Sequence, residues 1–353
     1  MIKEETKRQS NIELLRITSM LLIICHHFFV HGNFDFLNSG TFLNEEWAHF
    51  WEMGGKIGVN IFVIISGYFS IKSTNTKPSK IIKLWLQIFT YSIGIYIIFA
   101  LFSGMQIENK AVAKSFFPII FQNWWFASTY FILYLLIPFI NKFLLSLNKK
   151  YYKRFLILSF ILWSIIPFVT GQDNQQNNLI WFVFLYSLAG YIRLYEDDIN
   201  YSNKTFFLLA FITVVITCFM ICLCDVTRLT YTDFQPIAEH ICRLQSPSML
   251  FIALFLFMGF LKTKITYSRI INLIASLTFG IYLIHDNSFI RDFLWNLVFK
   301  NRSFSNSQFL IPYSIIVTVV VFVFCGIVEL LRIYLLEKNY MKVINKLLLK
   351  INK

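Results

Sequence analysis

Glu13, Arg16, His26 and His27 fall within one run, NIELLRITSMLLIICHHFFVH, from Asn11 to His31. The run is long enough to cross a bilayer. Each ionisable group inside a spanning helix costs roughly 2.5–3.5 kcal/mol on insertion scales. A helix that keeps four of them has a use for at least one. At about 1.5 Å rise per residue, His27 stands about 16 Å from Arg16 along the axis. A cation at the inner face can hold a phosphorylated donor. A neutral imidazole near the outer face can act as general base, with a pKa near the working pH. Neighbouring helix positions point about 100° apart, so His26 and His27 cannot both face one site well. A histidine pair snorkelling to the outer headgroups, with Arg16 snorkelling inward, would give the same pattern.

Other runs carry further candidates. INLIASLTFGIYLIHDNSF places His285 at a depth similar to that of His27, with Asp286 next to it. Two histidines on two helices at one depth suggest a shared site, although either also serves as a helix-packing hydrogen bond. Lys80 and Lys83 open KIIKLWLQ with i, i+3 spacing, on one helix face. They can bind phosphates as point charges, as can any lysines that merely set topology. GVNIFVIISGYF holds Asn60, Ser66 and Gly67, which suit close helix approach or a path beside an acyl chain. Trp124 and Trp125 are candidates for substrate contact, or members of an interfacial aromatic belt.

These residues need a frame. The chain has 353 residues, 57% hydrophobic and only 14% charged, against about 25% charged in soluble domains. An all-α, polytopic membrane bundle follows, with one domain over residues 1–353. Ten spans are expected near 12–31, 50–71, 81–103, 120–140, 154–170, 179–195, 205–224, 246–261, 270–290 and 309–336. With the N-terminus inside and strict alternation, 24 of the 32 basic residues fall on the cytoplasmic side, Lys3, Lys7 and the tail lysines among them. Lys56, Lys110, Lys114, Arg228, Arg243, Arg291, Lys300 and Arg302 fall outside. That asymmetry predicts N-in, C-in topology. It also explains the net charge of +13 without nucleic acid. Residues 337–353 read as a short basic amphipathic helix on the cytoplasmic leaflet. No cleavable leader is expected, because the first apolar run lacks a small-residue cleavage site. The six cysteines form no CxxC pair and read as small buried hydrophobes.

The expected outer loops are polar and aromatic. Residues 32–49 contain Asp35, Glu45, Glu46, Trp47 and His49. Residues 171–178 read GQDNQQNN, and residues 225–245 contain Asp225, Asp233, Glu239 and His240. Such loops suit a carbohydrate, whose hydroxyls take hydrogen bonds and whose rings stack on aromatics; solvated membrane-protein loops look alike.

The separated patterns together resemble acyltransferase family 3, bacterial membrane proteins that transfer acyl groups to extracytoplasmic glycans. The family opens with an acid, an arginine three residues later, and a histidine after ten more; here these are Glu13, Arg16 and His27. GVNIFVIISGYF resembles a family segment in which Asn60 stands where an acid is usual. NWWFASTYFILYLLIPFI resembles its Trp-led span, and SLTFGIYLIHD its late G-I-Y-L-x-H segment. The family's Arg-x-x-Arg is replaced by Lys80 and Lys83, which keep the charge but lose the bidentate fork. The esterase-like domain of some members has no counterpart.

The resemblance implies acyl-CoA, most often acetyl-CoA, as cytoplasmic co-substrate, no metal, and an extracytoplasmic glycan acceptor at a bacterial cytoplasmic membrane. It implies His27 as catalytic, either deprotonating the acceptor hydroxyl or briefly carrying the acyl group, with His285 and Asp286 orienting groups nearby. Donor contacts would come from Glu13, Arg16, Lys80 and Lys83, with Asn60, Ser66, Trp124 and Trp125 as further substrate contacts. A polysaccharide or lipid-linked sugar exporter fits ten spans equally well. It would need a central polar cavity, and the chain shows neither an internal repeat nor matched Gly/Pro-broken spans.

Overall fold

The computed structural model describes residues 8–36, 40–73, 77–102, 108–171, 177–228 and 240–351. Lys3, Lys7, Lys353, Asp233, Glu239 and residues 172–176 lie outside the described residues. Among the described residues every regular element is a helix. In chain order they are α1 (Ser10–Val30), α2 (Phe42–Ser70), α3 (Pro78–Phe102), α4 (Asn109–Phe116) and α5 (Trp125–Ser146). There follow α6 (Lys149–Thr170, with a π turn inside), α7 (Asn178–Tyr195), α8 (Asn203–Arg228) and α9 (Pro247–Lys262). The chain ends with α10 (Arg269–His285), α11 (Ser288–Val298), α12 (Leu310–Arg332) and α13 (Lys338–Ile351).

Eight of the described helices are long and apolar enough to cross a membrane, or nine if the bent pair α10–α11 counts as one span. The run expected near 246–261 is present as α9, which has only 16 residues. The run expected at 270–290 breaks at its end: α10 and α11 meet at 77°. The break follows from capping, since Asn287 Oδ1 accepts the Phe289 N–H at 2.9 Å and starts a new helix. The second span departs most from expectation. Its helix begins at Phe42, not near residue 50, and runs 29 residues. Thr41 Oγ1 accepts the Asn44 N–H at 3.2 Å, and Glu45 sits in the first turn, where the helix dipole favours an acid. Glu45, Glu46, Trp47 and His49 are therefore helical rather than loop residues. At the other end α12 continues through a π turn at Ile333–Glu337 into α13.

The first helix lies at the centre, bordered by α2, α9, α10 and α12. It runs antiparallel to α2: its His26 Nδ1 meets the Glu52 carbonyl at 2.8 Å, while Gly58 lies against the Ser19 carbonyl. It runs parallel to α10, with Ser10 against Asn272 at one end and His27 against His285 at the other. The second layer is α2 on α7 and α9. Outer helices present apolar side chains to the surroundings, such as Phe211, Val215 and Phe219 on α8 and Ile316, Val320 and Phe324 on α12. An exposed apolar surface of this extent needs lipid around it. The protein is a multi-pass membrane protein.

Candidate active site

Arg16, Met20, Ile23 and His27 repeat at helical spacing and so share one face of α1. The last three line a cavity of about 490 Å³ between α1, α2, α5 and α10, part of it open to solvent. Phe62 of α2 lines it too, and the Arg16 guanidinium lies 5.8 Å from the Phe62 ring centroid. Arg16 thus stands just beyond the end of the cavity opposite His27. His26 lines the cavity as well, contrary to the expectation from the 100° offset. Gly55 explains this: a Cβ there would stand 2.2 Å from His26 Cγ, so the missing side chain lets the ring lie against α2. His26 is held by the Glu52 carbonyl, outside the histidine–acid chain described next.

His27, His285 and Asp286 are brought together. The His285 Nδ1 stands 2.7 Å from the Ile281 carbonyl oxygen, which can only accept. That nitrogen therefore carries the hydrogen, and a neutral His285 presents its lone pair at Nε2. His27 donates from Nδ1 to that Nε2 at 3.0 Å. The basic lone pair of His27 is left at its own Nε2, 3.6 Å from Asp286 Oδ1. A proton gained there is met by a carboxylate. Asp286 is fully buried, as is His285.

Three residues complete this centre that the sequence did not single out. Arg291 Nε donates to Asp286 Oδ1 at 2.8 Å. His31 Nε2 stands 3.6 Å from the same oxygen. Tyr282 lines the cavity with its ring centroid 6.4 Å from that of His27, and its buried hydroxyl makes no hydrogen bond with a described residue. Tyr282 and His31 each had a sequence signal, one turn from His285 and His27 respectively. Arg291 had none, because the bend after α10 brings it back. His27, His31 and Asp286 also offer three ligand atoms within 4.8 Å of one another. A metal ion there would meet the Arg291 guanidinium at close range.

At the amino end of α1, buried Glu13 pairs with Arg16, Oε2 to Nε at 3.3 Å, and holds the guanidinium in place. Lys80 is exposed. Lys83, half-exposed, pairs with Glu337 at 2.5 Å at the end of a buried chain of charges: Glu337 accepts from Arg332, and Arg332 donates to Glu329 through Nε and Nη2. Glu329 also accepts from Gln87 and Tyr91, so α3, α12 and the π turn after α12 are tied together there.

The remaining candidates are spread out. Asn60 is fully buried; its amide donates to the Leu244 carbonyl and accepts from Trp181 Nε1, and both ends are thereby used in packing. Ser66 bonds Tyr130 and the Phe62 carbonyl. Trp124 is 1% exposed, inside the core rather than in an interfacial belt. Trp125 lines the cavity.

No curated protein and no solved structure matches the chain. A model of the acyltransferase domain of family 3 matches residues 9–330, from the start of α1 almost to the end of α12. The matched region holds every element around the cavity. The chain belongs to that family and is a membrane acyltransferase.

Proposed function

We propose that the protein moves an acyl group, acetyl in the first instance, from cytoplasmic acyl-CoA to a hydroxyl of an extracytoplasmic polysaccharide or glycolipid of a bacterial envelope. The observation that carries this reading is the single stripe on α1. It begins at a guanidinium, passes along a cavity, and ends at an imidazole backed by His285 and Asp286.

In this reading Arg16, with Lys80 and Lys83, holds the CoA phosphates at the cytoplasmic face. Lys83 is half-exposed and keeps two further N–H donors beside its bond to Glu337. The pantetheine arm crosses the ~16 Å from Arg16 to His27. His27 Nε2 takes the proton of the acceptor hydroxyl as its oxygen attacks the thioester carbonyl. The Asp286 carboxylate stabilises the imidazolium that forms, and the Tyr282 hydroxyl supplies a donor for the carbonyl oxygen as negative charge builds on it. The C–S bond breaks and His27 returns the proton to the CoA thiolate.

The test is acyl transfer by purified protein from labelled acetyl-CoA to extracted envelope glycan. O-acetyl groups should appear, His27→Ala should abolish transfer, and His26→Ala should retain most of it. Transfer that survives His27→Ala overturns the assignment of the base. Transport of unmodified glycan with no dependence on acyl-CoA overturns the reaction itself.

A further inference from the structure

We propose that Glu46, His49 and Asp225 form a Zn²⁺ site that fastens α8 to α2, apart from the His27 cavity. Glu46 and His49 stand i, i+3 on the second and third turns of α2 and project from one face. Asp225, in the last turn of α8, meets them from 176 residues away in sequence. One ligand atom from each of the three lies within 4.8 Å of the other two. None of the three lines the His27 cavity.

Three observations favour a cation. The first is charge: the cluster brings two carboxylates to one imidazole, a donor set whose negative charge a dication would offset. The second is an orphaned atom. Glu46 Oε1 is buried and makes no hydrogen bond with any described residue. The third is geometry. His49 Nδ1 and Asp225 Oδ2 are 2.8 Å apart. Ligands at about 2.0–2.2 Å from a tetrahedral zinc stand about 3.3 Å from one another. The pair needs to open by only about 0.5 Å for a metal to replace the shared proton.

One imidazole and two carboxylates suit zinc, with water in the fourth position. The His49 side chain is 25% exposed, which leaves an entry path. The effect on the fold follows from packing. The α8 helix lies mainly on α9 and meets α2 much less, so a coordination bond there anchors a peripheral helix to a central one.

The test uses full-length protein in detergent, stripped with a chelator and titrated with Zn²⁺ by calorimetry. One saturable equivalent is expected, with a higher Tm. Glu46→Gln, which keeps the side-chain shape, and His49→Ala should each weaken binding by about tenfold or more, while His27→Ala leaves it unchanged. Loading with Co²⁺ instead should give visible d–d absorption without a thiolate charge-transfer band. The proposal is overturned by the lack of saturable binding in the wild type. Binding that survives Glu46→Gln, binding lost in His27→Ala, or a thiolate band overturns it equally. Should His49→Ala not fold, Glu46→Gln with the Co²⁺ spectrum decides alone.

Discussion

Replacing Asp286 by Asn isolates the electrostatic part of the proposed mechanism. The substitution keeps the shape and leaves an amide oxygen to accept from Arg291, whose Nε now stands 2.8 Å from Oδ1. It removes the negative charge 3.6 Å from His27 Nε2. At that separation and an effective dielectric constant of ~20, a full imidazolium loses about 4–5 kcal/mol of attraction. If about half the proton has moved in the transition state, the loss is about 2 kcal/mol, or about thirty-fold in rate. Arg291, no longer offset, adds to the penalty in the same direction. In the proposed binding mode the donor's phosphates lie at the opposite end of the stripe, so KM for acyl-CoA should hardly move. The assay is steady-state transfer from labelled acetyl-CoA, with kcat and KM separated and folding checked by gel filtration and thermal melting. An unchanged kcat in the folded variant would refute the argument that Asp286 acts through His27.

Gly280→Ala should unfold the α3–α12 contact, because its Cβ would stand 2.2 Å from Glu329 Cδ. Displacing that buried carboxylate from Arg332, Gln87 and Tyr91 costs about 3–5 kcal/mol, read as a lower Tm in detergent. Asn60→Ala should destabilise by about 2–4 kcal/mol, since Trp181 Nε1 and the Leu244 carbonyl lose their partner. The folded fraction should keep its KM for acyl-CoA, and a raised KM would return Asn60 to the binding site. Lys83→Ala should raise that KM by about tenfold while leaving kcat nearly unchanged; an unaltered KM would move the phosphate site elsewhere.

The electrostatics of the centre depend on a sequence of constraints that begins outside it. The Ile281 carbonyl sets the tautomer of His285, His285 sets that of His27, and the free lone pair then faces Asp286. Each link is a local helix property used at long range: an i, i+4 side-chain bond to backbone within α10, then a contact between parallel helices. His26, one residue away on α1, enters the cavity but not this chain of constraints, because α2 offers it a backbone carbonyl instead.

Local chemistry determined a good deal on its own. Runs of apolar residues must become helices in lipid, because a helix satisfies its own backbone there, and each expected run contains a helix, although 120–124 precede α5 and the 270–290 run breaks after His285. The cost of burying ionisable groups pointed to Arg16 and His27, and helical spacing put them on one stripe. Periodicity also matched His27 and His285 in depth, which the parallel packing of α1 and α10 turns into contact. Other features needed the folded chain. Capping by Thr41 converted an apparent polar loop into the first turns of α2, and with it moved Glu46 and His49 onto a helix face. The missing Cβ of Gly55 admitted His26 to the cavity. The 77° bend after α10 returned Arg291 to Asp286. Asn60 is held in packing by Leu244 and Trp181, and Lys83 gained Glu337 as a partner, through contacts far away in sequence. Periodicity reports which face of a helix a residue occupies; which helix covers that face is decided by long-range packing, and there the sites are assembled.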